Sequence, residues 1–184
     1  MLAWRKQNPV EAKELYDKLS NANLCICATM EKLHEYCRTE KSKYIESVAW
    51  CCITEQQHWS LSSNPVAKTF AELRDHFRSS RVLLRTLGEN AGVEVEPPCQ
   101  TRLVDASEAV KGVLCAGVPG AGGVDAIYAL TLSPSSRNEV EKIWANWKDT
   151  TTDTATSTIG DVCPLTLSAA SGSQSGIQFA SLKW

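Results

Sequence analysis

The sequence predicts an α+β fold, a helical block packed on an antiparallel sheet. Three observations point there. Helix start signals and apolar spacings of three and four fill most of residues 1–110. Two short apolar runs then flank a glycine cluster at 117–123. One more helix pattern and two more strand candidates follow. Strands gathered after a run of helices fit a helix-covered antiparallel sheet better than alternating βαβ units.

The first start signal is Asn8-Pro9-Val10-Glu11. Asn8 is expected to cap the open amides, and Pro9 sits where no helical hydrogen bond is lost. Leu15 and Leu19 share one face. Asn21-Ala22-Asn23 reads as an interruption, with a second helix carrying Leu24, Met30 and Leu33. A third is expected over 44–59, with Ile45, Val48, Cys52 and Trp59 turned inward. Asn64-Pro65-Val66 repeats the start signal and opens the clearest helix. Val66, Phe70, Leu73, Phe77, Leu84 and Leu87 follow at spacings of four, three, four, seven and three. That stripe reads as a core seam, with Lys68, Glu72, Arg74, Asp75 and Arg78 opposite it. Gly88 and Gly92 stand where such a helix stops.

Glu96-Pro97-Pro98 interrupts the chain, because proline cannot donate and restrains the residue before it. A short helix over 100–110 comes next. Residues 113–116 and 126–132 read as buried strands. Ser133-Pro134-Ser135-Ser136 begins a helix with Val140, Ile143, Trp144 and Trp147 on one side. Residues 149–159 read as a polar loop. Residues 162–167, with Pro164 at an edge or strand start, and 177–180 are the last strand candidates. The expected organisation is one domain over 1–184: a helical part, 1–62; the long helix and glycine loop, 63–132; and a terminal helix with strands, 133–184.

Hydrophobic content of 43% and charged content of 22% are those of a globular chain. A net charge of -2 without a basic stripe argues against a nucleic-acid partner. No apolar run reaches the roughly 20 residues of a membrane span. Eight cysteines without a secretion signal read as reduced, mostly buried thiols of an intracellular protein. There is no Cys-x-x-Cys pair, and His34-x-x-Cys37 lacks a second half, so no metal ligands are assigned.

Five of the ten glycines fall between 112 and 123. Such density has two possible reasons. Tight turns need positive φ, and a backbone without Cβ atoms lets a phosphate or another backbone come close. A ligand-free hairpin satisfies the first reason and a phosphate cradle the second; both readings stay open on the glycines alone. No Gly-Lys-Ser/Thr follows, and the next segment reads as strand, so neither a Walker loop nor a Rossmann turn fits.

Gly117-Val118-Pro119-Gly120-Ala121-Gly122-Gly123-Val124-Asp125-Ala126-Ile127-Tyr128-Ala129 resembles the third motif of the small-molecule kinases related to galactokinase, homoserine kinase and mevalonate kinase. Its flanks are similar to the phosphomevalonate kinase branch. So is the block from Val95-Glu96-Pro97-Pro98-Cys99-Gln100-Thr101-Arg102 to Asp105, after a long helix ending in 84–92. Trp4-Arg5-Lys6-Gln7-Asn8-Pro9 also resembles that branch. The resemblance is strong over 84–132 and weak after 148.

The resemblance implies the ferredoxin-like C-terminal domain of such a kinase, which phosphorylates 5-phosphomevalonate with ATP and magnesium in isoprenoid synthesis. By the same resemblance, Gly117, Pro119, Gly120, Ala121, Gly122 and Gly123 shape the pocket where the substrates' phosphates meet. Asp125 either orients the loop or touches ligand. Gln100, Thr101 and Asp105 match the second block, and Arg102 is either a phosphate ligand or an exposed helix arginine.

The family's N-terminal lysine motif, its Pro-x-x-x-Gly-Leu-Gly-Ser-Ser-Ala phosphate loop and its catalytic aspartate have no match here. No catalytic residue is therefore assigned. The chain alone is expected to bind no cofactor tightly and to show little kinase activity. Expected partners are phosphomevalonate and either the missing N-terminal kinase domain or a second copy of the chain, with neither nucleic acid nor membrane. The expected compartment is intracellular and cytoplasmic, a peroxisome-like organelle being left open. The other class of reading is a non-catalytic α+β domain of this kinase type serving as a binding or oligomerisation module.

Overall fold

The computed structural model describes residues 1–120, 122–148 and 162–164. Its elements run α1 (Leu2–Gln7), α2 (Pro9–Thr39), α3 (Lys41–Ile53), a 3₁₀ turn (Gln56–Leu61), α4 (Pro65–Ala91), α5 (Pro98–Glu108), β1 (Val113–Gly117), β2 (Tyr128–Thr131) and α6 (Pro134–Ala145). The architecture is α+β. Among the described residues the sheet has two antiparallel strands.

The two Asn-Pro signals behave differently. Asn64 caps α4, its side-chain oxygen accepting from the Val66 amide at 2.9 Å. Asn8 makes no such cap; its side chain donates back to the Trp4 carbonyl at 3.2 Å, fastening the corner between α1 and α2. Ser133 caps α6 by accepting from the Ser136 amide.

The expected break at Asn21-Ala22-Asn23 is absent, and α2 is one helix of 31 residues. Asparagine costs a helix well under 1 kcal/mol per residue. Burial of Ile26, Thr29 and Leu33 along the same helix outweighs that cost. Asn23 is itself used, accepting a hydrogen bond from Ser80 on α4.

The third helix also differs from expectation. It ends at Ile53, where Thr54 turns extended, and a 3₁₀ turn swings Trp59 back into the core. Ile45 is 55% exposed, and Cys51 rather than Cys52 is fully buried. The inward face of α3 is thus Tyr44, Val48 and Cys51.

The core lies where α2, α3 and the 3₁₀ turn meet α4. Ile26, Leu33, Cys51, Trp59, Val66, Phe70, Leu73 and Leu114 form one cluster. The Tyr44 and Phe70 rings pack tilted, 5.7 Å apart. The long apolar stripe is therefore the core seam it was read to be, although Phe77 and Leu84 are only half-buried.

Both α4 and α5 pack on β1, and all five of its residues are buried. β2 pairs with β1 from Gly117↔Tyr128 to Val113↔Thr131, with an irregularity between Val113 and Cys115. β2 is only half-buried, with Leu130 exposed, so the reading of two buried strands holds for the first alone. Residues 149–159, 165–167 and 177–180, read as loop and strands, lie outside the described residues, and 162–164 are not in a strand.

The described cysteines are free thiols. Cys51, Cys99 and Cys115 are buried, but Cys27, Cys37 and Cys163 are exposed, so the reading of mostly buried thiols is corrected. Cys27 and Cys37 lie on solvent-facing positions of α2, where local apolar sequence does not mean burial. Among the described residues no helix is long and apolar enough to cross a membrane.

Candidate functional site

The glycine loop joins β1 to β2 and lies against the connection between α4 and α5. That connection is short because α4 stops at Gly92, in the left-handed conformation at φ 63°, and α5 starts at Pro98. Gly88, in the last turns of α4, lets the chain fold back on the helix. A Cβ there would meet the Val93 carbonyl at 2.5 Å and Val95 Cγ2 at 2.8 Å.

The other side of Val95 receives the loop. The Gly123 amide donates to the Val95 carbonyl at 3.0 Å. Gly122 has φ 86°, and a Cβ on it would lie 2.6 Å from Val95 Cα and 2.8 Å from its carbonyl carbon. Glycine at 122 is required twice, by conformation and by contact with another backbone. Gly120, at φ 65°, and Gly123, at φ 101°, are required by conformation alone, since nothing lies within 4 Å of an added Cβ.

Glu96 follows Val95 and anchors the connection. Its side chain is 3% exposed and faces Arg81 of α4. Arg81 grips it with two parallel bonds, Nε to Oε2 at 2.8 Å and Nη2 to Oε1 at 2.7 Å. Such a fork suits a planar guanidinium and a carboxylate. Thr101 adds a hydroxyl donor to Glu96 Oε1 at 2.9 Å. Arg81 also reaches Asp105 at 2.8 Å and Glu108 at 3.6 Å. Glu108 is 5% exposed and accepts from the Ala116 amide of β1 at 3.2 Å, one residue before the loop. Burial works against the charge on Arg81, but its bonds to Glu96 and Asp105 prevail and raise its pKa above the ordinary arginine value.

Two hollows adjoin this junction. A cleft of about 860 Å³ runs along the end of α4 and the start of α5, lined among others by Arg85, Thr86, Glu94, Thr101 and Arg102. A smaller one of about 170 Å³ is bordered by Ser80, Arg81, Glu96, Gly117, Val118 and Tyr128. Burial pushes the Tyr128 hydroxyl up to about 12, above the ordinary tyrosine value.

The residues singled out in the sequence fall into three groups. Gly117 ends β1, Pro119, Gly120, Gly122 and Gly123 lie on the loop, and Thr101 and Asp105 join it through the Glu96–Arg81 network. Arg102 is half-buried in the wall of the larger cleft, not an exposed helix arginine. Gln100 is 2% exposed, and its side-chain oxygen has no hydrogen-bond partner among the described residues. Asp125 is exposed on the loop's outgoing limb. Ala121 lies outside the described residues.

Sequence reasoning missed Arg81, Glu108 and Tyr128. One signal was available for Arg81. The apolar stripe of α4 skips from Phe77 to Leu84, and Ser80 and Arg81 occupy the missing turn. An arginine on an inward face needs a buried acid as partner.

A kinase reaction needs a cradle for a triphosphate and its metal. The amides of Gly122 and Gly123 are taken by the carbonyls of Pro119 and Val95. Among the described residues no three His, Cys, Asp or Glu side chains are grouped as metal ligands. These residues do not form a triphosphate cradle by themselves, and no chemical step is assigned to them through ATP or magnesium.

No protein-family model matches the chain, and no solved structure matches it. Curated relatives do. A peroxisomal phosphomevalonate kinase of Arabidopsis thaliana is 33% identical over 148 residues, covering 78% of this chain and 29% of that protein. The phosphomevalonate kinase of Candida albicans is 30% identical over 146 residues, 79% of this chain and 30% of the relative. That of Aspergillus fumigatus is 30% identical over 163 residues, 88% and 28% respectively. The chain thus spans under a third of the length of the relatives it matches. Over that stretch the chain is related to the phosphomevalonate kinase family.

Proposed function

We propose that this chain, as a single domain over 1–184, supplies the acceptor side of a phosphomevalonate kinase. In this reading its glycine loop borders the place where the phosphates of ATP and 5-phosphomevalonate meet. One observation carries it. The two sequence blocks that resemble the family, 95–105 and 117–129, are separated by the end of α5 and most of β1, and the Val95 and Gly122–Gly123 backbones touch. Direct contact between the blocks supports one composite site rather than two unrelated turns. Arg102 in the wall of the adjoining cleft supplies a cation suited to a phosphorylated acceptor.

The triphosphate cradle and catalytic base belong, in this reading, to the remaining sequence of the kinase, which is also the domain's partner. Phosphoryl transfer is mainly positioning and charge stabilisation, so half of a site contributes little alone. Two assays test this. The purified chain, given ATP, Mg2+ and 5-phosphomevalonate, is expected to release ADP far more slowly than ordinary kinases; turnover near 1 s⁻¹ or faster, on the order of their usual rates, overturns the half-site reading. A chimera carrying residues 1–148 in place of the matched stretch of the Arabidopsis kinase is expected to phosphorylate 5-phosphomevalonate. A folded but inactive chimera overturns the acceptor-side assignment.

A further inference from the structure

The glycine loop is fastened at two points, and both fastenings lead to one side chain. The middle of the loop rests on Val95, whose neighbour Glu96 is held by the Arg81 fork. The strand feeding the loop is held at the Ala116 amide by Glu108, the other buried acid facing Arg81. Asp105 and Thr101 close the network from α5. We propose that Arg81 is a positioning residue for the glycine loop, setting where its backbone lies relative to the adjoining cleft. It does so without touching the loop's glycines, by gripping Glu96 directly and, together with Arg78, balancing the charge of Glu108.

The geometry argues for this over general stabilisation. The apolar cluster of α2, α3 and the first half of α4 contains no member of the network. Arg81 sits beyond that cluster, in the gap of the α4 stripe between Phe77 and Leu84. A planar fork fixes both oxygens of Glu96 and hence its orientation, whereas a lysine ammonium offers a point charge. Nearby Arg85 stands farther from Glu96, at 3.7 Å, and Arg78 shares Glu108 with Arg81, at 3.5 Å against 3.6 Å. They supply charge to the junction but not its bidentate grip.

The proposal deepens the reading of the loop as the site, since its placement matters only if it is used. Its test, however, needs neither ligand nor activity. Amide hydrogen exchange is measured on the full 184-residue chain, comparing Gly123 and Ala116 with Phe70 and Leu73 in the apolar seam. In Arg81→Lys, exchange at Gly123 and Ala116 is expected to rise on the order of tenfold while the seam amides stay unchanged. Thr101→Val, which removes one donor to Glu96, is expected to give the same loop-confined pattern at smaller amplitude. An equal rise at all four amides, no change at any of them, or global unfolding of Arg81→Lys overturns the proposal. A failed kinase chimera with the loop-confined exchange pattern intact would sink the acceptor-side function and leave this positioning role standing.

Discussion

Two stretches of one helix, α4, do different work. Its first half buries Val66, Phe70 and Leu73 against α2, α3 and the 3₁₀ turn. Its second half carries Arg81 into a junction of acids, hydroxyls and backbone amides. The first is held by burial, which has no direction and tolerates small errors of fit. The second is held by hydrogen bonds that work only at fixed distances and angles. A fold needs the first; a site needs the second, and here the rigid helix delivers one to the other.

The largest expected effect tests the apolar half. Trp59→Ala empties a fully buried position in the core cluster. It is expected to cost about 3–5 kcal/mol in urea unfolding. A loss below about 1 kcal/mol, less than a core truncation of this size costs, would show that the seam does not depend on the 3₁₀ turn. The second sharpens the directional half. Gly122→Ala is expected to cost about 1–3 kcal/mol and to shift loop amide resonances, because it strains φ and drives a methyl group into Val95. Gly120→Ala strains φ alone and is expected to cost about 1 kcal/mol. Equal costs would mean that the Val95 contact contributes nothing. The smallest concerns helix starts. Asn64→Ala is expected to cost about 1 kcal/mol through its lost cap. Asn8→Ala, at a position without a side-chain cap, is expected to cost less, and thermal midpoints of the two variants decide the order.

The same division explains what could be read from the residues. Burial leaves a period in the sequence, so the α4 seam, the α4 cap at Asn64 and the strand–loop–strand order were legible. Where several residues compete for one face, the period misleads. Cys51 and Cys52 were exchanged, and Ile45 was placed inside although it is exposed. The uninterrupted α2 was missed because its continuity depends on packing against α4, which no local signal at Asn21-Ala22-Asn23 contains. The junction leaves no period at all. Arg81, Glu96 and Glu108 are brought together only by the chain folding back after Gly92. Of these, Glu96 was noticed through family resemblance, and Arg81 was missed although it fills the gap in the α4 stripe.

Val95 stands between two glycines, its side chain against Gly88 and its backbone against Gly122. As sequences diverge, these contacts constrain the chain unequally. A smaller residue at 95 relieves only part of the crowding at 88, because the Val93 carbonyl also lies 2.5 Å from where a Cβ would stand. No residue at 95 makes room at 122, because every amino acid brings the same Cα and carbonyl. Neither glycine can therefore be released by a change at 95 alone, and position 122, barred by its positive φ as well, should be the last of the two to change as lineages drift.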